Sequence, residues 1–353
     1  MKNGDMTLDE EFQIKLYKRI RKRELNASVV FLCILVFVSY ICEYVLSVSA
    51  FYAARSIPQD YRELFLTVSD ILGYILKLSV PVILYLVYNG RKAGELFSPE
   101  AGYGESTEKE KISFAKCAAY TLCAISLSRI MAYFSAFFSA VVSAVLSLFS
   151  ENLVLDSAAF DVASPSTLGG FVIELFAVAL LPAVFEELFF RGVMLSELTK
   201  YGKSFAICAS AVFFALSHGS AEQMMYSFVY GLIFGYAVVK TGSLMLGMIM
   251  HFVNNALSCT VIYLEGVFEG SRIFEDIITV TDFTLVFAGL VIAAVCIAGN
   301  RIAFSERNDS EKGEAELTGS ETFSVLLSPI MLVYYAIIIY ETMYVYISYN
   351  MRI

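Results

Sequence analysis

Nine apolar runs divide this chain, at about 27–50, 65–89, 112–149, 170–195, 204–218, 222–240, 244–265, 281–300 and 322–348. Most approach or exceed the ~20 residues that a helix needs to cross a bilayer. Hydrocarbon offers no water to backbone N–H and C=O groups, so a spanning segment must satisfy them internally, and a run of this length does so as a helix. The sequence therefore predicts an all-α polytopic membrane protein with about eight to nine transmembrane helices. A mean hydropathy of +0.68 over 353 residues excludes an ordinary soluble domain.

Charge gives the runs a direction. The first 26 residues carry seven basic side chains, Lys2, Lys15, Lys18, Arg19, Arg21, Lys22 and Arg23. This arm is too long and too charged for the start of a cleaved leader, so the first apolar run is expected to be its own targeting signal. The positive-inside rule puts the arm in the cytoplasm. With nine crossings, the stretches 1–26, 90–111, 196–203, 240–243 and 301–321 share that side and hold seventeen Lys and Arg. The opposite side holds four: Arg55, Arg62, Arg272 and Arg352. The third run exceeds one perpendicular span, yet no Pro or Gly occurs between Gly104 and Pro165. One long helix is expected there, with an interfacial extension carrying Lys116 and Arg129.

The chain divides into a basic cytoplasmic arm (1–26), amino-terminal membrane helices with their loops (27–169), a polar-site core (170–265) and carboxyl-terminal helices (266–353). The loops 90–111 and 301–321 have the composition of weakly ordered segments. Seven cysteines, at 33, 42, 117, 123, 208, 259 and 296, all lie in apolar runs without a CxxC pair, and read as packing residues. Trp is absent, so an aromatic belt falls to tyrosines such as Tyr340, Tyr344, Tyr346 and Tyr349.

Ionisable side chains at membrane depth are costly and mark function. The fourth run contains Glu186, Glu187 and Arg191, and the chain's two histidines, His218 and His251, lie in the fifth and seventh. Glu187 and Arg191 are four residues apart on one helix face and can pair. Glu186 points about 100° away and lacks a local partner. A buried carboxyl in that position suits proton exchange near neutral pH. Counted from the basic loop 196–203, Glu186 and His218 sit at similar depths on an antiparallel hairpin, roughly 21–22 Å along each helix. Asn255, four residues after His251, reaches about 20 Å from the turn at Gly242; Asn254 faces another side. A carboxylate and a His can hold and activate a water, while a second His and an Asn can stabilise an oxyanion. Glu186, His218 and His251 are alternatively zinc ligands, although no HExxH occurs.

In these residues the sequence resembles the CPBP family, the CAAX proteases and bacteriocin-processing enzymes of membranes. The family pattern is EExxxR, FxxxH and HxxxN. Here it reads Glu186-Glu187 with Arg191, Phe214 with His218, and His251 with Asn255, in order on three apolar runs. The resemblance covers about 170–260. It implies an intramembrane endopeptidase with a helical core and a conical cavity. It also implies that Glu186 and His218 activate water, that His251 and Asn255 hold the oxyanion, and that Glu187–Arg191 supports the site, with Phe214 part of the second motif. Family members have been labelled metalloproteases, and a metal-independent glutamate mechanism is also proposed for them; the metal-free reading is preferred here. The implied partners are a lipid bilayer and a peptide or protein substrate, lipidated or membrane-bound, with no nucleic acid. The alternatives are a non-proteolytic binding or bacteriocin-immunity protein, a proton-coupled transporter and a bis-histidine haem protein.

Overall fold

The structure is a computed structural model that describes residues 8–97, 113–148, 165, 167–299 and 317–350. Among these residues every regular element is helical. The chain runs through α1 (Leu8–Ala54), α2 (Gln59–Asn89), α3 (Phe114–Ser147), α4 (Leu168–Tyr201), α5 (Lys203–Leu216), α6 (Ala221–Thr241), α7 (Leu244–Val267), α8 (Arg272–Ala298), α9 (Gly319–Leu327) and α10 (Pro329–Asn350). Most of the loops expected at 90–111 and 301–321 lies outside the described residues, as do the side chains of Tyr344, Tyr346 and Tyr349.

Among the described residues seven helices are long and apolar enough to cross a membrane, and the pair α9–α10, bent by 46°, makes an eighth if it is one span. The ninth expected span is α5, which has only 14 residues. At ~1.5 Å per residue it reaches about 21 Å, short of a hydrocarbon core of ~30 Å. The third run is one helix, as expected. Arg129 lies on this helix. Its Nε lies 3.4 Å from Asp282 Oδ1 of α8, and Tyr133 also donates to that carboxylate.

Large apolar side chains on the outside are frequent. Phe137, Ile273, Val280, Phe283 and Phe287 are each more than 60% exposed. Such surfaces are unfavourable against water and natural against lipid tails. The inner faces pack into a core built from α1, α2, the second half of α4, α5, α6 and α7, including Leu32, Tyr85, Phe189, Met194, Phe213, Phe234 and Met250.

Helix ends expected to share one membrane side do meet. Arg21 donates to the Lys200 carbonyl (3.2 Å), and Ser28 donates to Glu197 (2.9 Å). Tyr85, near the end of α2, also donates to Glu197 (3.2 Å). Leu96 and Leu244 both approach Gly192. The arm and the loop ends near 92, 200 and 243 thus form a single face.

α5 and α6 form the tight hairpin whose turn holds His218. Their backbones touch at Gly231, where a Cβ would meet Cα and Cβ of Ala211 at 2.8 Å. The obstruction is backbone, so it cannot rotate away. Gly231→Leu is expected to cost at least ~1–3 kcal/mol through overpacking. The measurement is a lower thermal unfolding midpoint in detergent; an unchanged midpoint would contradict this packing.

Candidate active site

α4 supplies the carboxylates and is the least regular helix of the core. Its α-helical turns at Leu181–Glu187 are flanked by π-helical turns at Leu175–Leu180 and Leu188–Leu195. π-Turns widen the helix locally and change the direction of the residues they carry. Glu186 and Glu187 end the regular segment between them.

Glu187 is fully buried, and so is Arg191. Arg191 Nη1 lies 2.9 Å from Glu187 Oε1. The guanidinium also stacks over Phe214 of α5 at 4.3 Å and faces Phe234 of α6 at 5.6 Å. Two rings and one carboxylate therefore replace the water that this cation lacks. The same Glu187 oxygen receives His251 Nδ1 of α7 at 3.0 Å. α7 comes this close because residue 247 is glycine: a Cβ there would stand 2.9 Å from Glu187 Oε2 and 3.0 Å from Val238.

Glu186 has other neighbours. Tyr74 of α2 donates its hydroxyl to Oε1 at 2.6 Å. Oε2 accepts no hydrogen bond from the described residues and lies 3.9 Å from His251 Nε2. A cavity of about 30 Å³ adjoins the carboxylate, lined in part by Tyr74, Lys77, Ser217 and Tyr334. One water needs ~10–15 Å³ by the same measure, so there is room for it beside Glu186.

His218 occupies the turn after α5. Its Nδ1 is 2.7 Å from the Phe214 carbonyl. A carbonyl only accepts, so Nδ1 carries the proton and the neutral ring keeps a lone pair at Nε2. The ring lies edge-on to Phe214 (4.8 Å), which also contacts His251 (5.9 Å), and it is within electrostatic reach of Glu186 and His251. Applied to His251, the same reasoning assigns its Nδ1 proton to Glu187, a carboxylate already paired with a cation.

Asn255 is less directly engaged. Its Nδ2 donates to the Val178 carbonyl in the first π-turn of α4 (2.9 Å), and its Oδ1 accepts from Asn254 (2.9 Å). Asn254 accepts in turn from Tyr230, which is bonded to Ser128 of α3. Asn254 therefore belongs to the chain that holds Asn255. Tyr74, Tyr230 and Gly247 were not apparent from sequence, and a Tyr or Gly in an apolar helix carries no distinguishing signal. Lys77 did carry one, as a cation in an apolar run; it pairs with Glu43 of α1 at 2.7 Å.

The zinc alternative fits this arrangement poorly. Among the described residues no three His, Cys, Asp or Glu side chains form a group that could hold a metal ion. Nδ1 of both histidines is engaged with protein oxygens, so only their Nε2 atoms could serve as ligands.

Breaking the buried pair leaves Arg191 uncompensated. Glu187→Gln is expected to lower stability by ~3–5 kcal/mol, and the double variant Glu187→Gln/Arg191→Met to recover part of that loss. Thermal unfolding of the three proteins in detergent checks the order.

Residues 168–257 match the family described as type II CAAX prenyl endopeptidase Rce1-like. No curated protein and no solved structure matches the chain. The matched segment holds all three motifs, together with all of α4, α5 and α6 and most of α7. Over this helical core the chain is similar to that family of CAAX-protease-like membrane proteins, consistent with the CPBP resemblance of its three motifs.

Proposed function

We propose that the protein is an intramembrane endopeptidase that hydrolyses a peptide bond with a water activated by Glu186 and His218. The observation that carries this reading is the convergence of one incompletely satisfied carboxylate on α4 with two histidines, from the turn after α5 and from α7, the carboxylate also lining a water-sized cavity. Glu186 Oε2 takes a proton from water as its oxygen attacks the carbonyl carbon. His218 Nε2 accepts a second hydrogen bond and orients the water. The proton then passes from Glu186 to the departing amine nitrogen as the C–N bond breaks, so the carboxylate is restored.

His251 and Asn255 serve the oxygen on which negative charge develops. With its Nδ1 held by Glu187, His251 addresses that oxygen through Nε2, which donates when the ring carries both protons. One N–H of the Asn255 amide is fixed by Val178, and the other can face the oxyanion. Glu187 and Arg191 hold α4, α5 and α7 in register. The substrate is a peptide reached from the bilayer or from the basic face, which we assign to the cytoplasm on its excess of Lys and Arg. A non-proteolytic immunity or binding protein is the competing reading.

Glu186→Ala and His218→Ala are each expected to reduce cleavage by about 10²–10⁴-fold while the protein still assembles in membranes. Comparative peptidomics of membranes bearing wild-type protein or Glu186→Ala would reveal the substrates, and undiminished cleavage by Glu186→Ala would sink the mechanism. A cellular phenotype that survives both substitutions at equal expression favours the non-proteolytic reading. Activity is expected to persist after chelation; stoichiometric zinc lost together with activity would overturn the metal-free mechanism.

A further inference from the structure

We infer that Tyr74 is a positioning residue for the reaction, fixing the Glu186 carboxylate so that Oε2 alone is presented as the base. The inference rests on the endopeptidase reading above and extends it beyond the matched segment, because Tyr74 lies on α2 and the match spans 168–257.

A glutamate side chain has free rotation about its last bond, and its two oxygens are chemically equivalent until a neighbour distinguishes them. Here the Tyr74 hydroxyl donates to Oε1 at 2.6 Å, a short charge-assisted bond. Oε2 is left without a protein donor, 3.9 Å from His251 Nε2. The bond therefore fixes the rotation of the carboxylate and occupies one lone-pair site of Oε1, while both sites of Oε2 stay without a donor among the described residues. Holding a reacting group within about half an ångström of its working geometry is what supporting hydrogen bonds contribute to a site.

α2 could have offered Glu186 a cation instead. Lys77, one turn along the same helix face, lines the same cavity. Its ammonium is held by Glu43 of α1 at 2.7 Å and lies near the Tyr40 ring. A lysine bonded directly to Glu186 would quench its basicity, whereas a neutral phenol orients the carboxylate and leaves it able to accept a proton. A buried tyrosine hydroxyl needs an acceptor for packing reasons alone, so the test must separate orientation from folding.

The assay uses full-length protein in detergent with an internally quenched, prenylated CAAX peptide. Tyr74→Phe keeps the ring and removes the hydroxyl. Its kcat is expected to fall about 10- to 100-fold, the cost of one hydrogen bond to a charged group. KM should stay within about threefold and the unfolding midpoint should be unchanged. In a Glu186→Asp background the carboxylate is withdrawn from the hydroxyl, so Tyr74→Phe should there have little further effect. Full kcat for Tyr74→Phe beside an inactive Glu186→Ala overturns the role of Tyr74 and leaves the endopeptidase reading standing. An equal Tyr74→Phe effect in both backgrounds, or a fall in midpoint that accounts for the lost activity, also overturns it. Full activity of Glu186→Ala, or no cleavage by wild type, removes the parent reading for this substrate and this inference with it.

Discussion

Every helix of the polar core is tied to one buried carboxylate. Glu187 accepts Arg191 from its own helix and His251 from α7, and Arg191 in turn lies against Phe214 of α5 and Phe234 of α6. A charge cannot be buried at this depth without compensation, so these groups can occupy the interior only together. That requirement fixes the spacing of α4, α5, α6 and α7 more tightly than apolar packing alone would. It also accounts for Gly247, since any side chain there would press on Glu187.

The same constraint separates two adjacent glutamates. Glu187 is neutralised by a cation and is spent on structure. Glu186, one residue earlier, turns to α2 and the cavity, where its principal partner is a neutral hydroxyl. Both glutamates stand on the regular α-helical turn of α4, where adjacent side chains diverge by about 100°, so they reach different neighbours. The Asn255 end of the site is held comparably, by a run of neutral hydrogen bonds from Ser128 through Tyr230 and Asn254. Neutral donors thus brace both Glu186 and Asn255.

Much of this was legible in advance because helices in lipid obey simple periodicities. The runs gave the helices, and Lys and Arg gave a common face that the Arg21, Ser28 and Tyr85 contacts bring together. The four-residue step from Glu187 to Arg191 gave their pairing. The span count settles at seven to eight among the described residues because α5 is too short to cross, and its apolar run, 204–218, already fell below the ~20 residues that a crossing needs. Arg129 finds Asp282, a partner more than 150 residues away, and no local pattern announces such a pair.

The sequence by itself determined an all-helical membrane protein and singled out the residues proposed to carry its chemistry, because hydrocarbon leaves polar groups few places to be. Only the tertiary structure decided who holds whom. It brought His251 to Glu187 as well as to Glu186, engaged Asn255 with Val178, and supplied Tyr74 from a helix more than a hundred residues away. Hydrogen bonds act over about 3 Å, and those separations depend on how helices cross, which side-chain periodicity along a single helix does not contain.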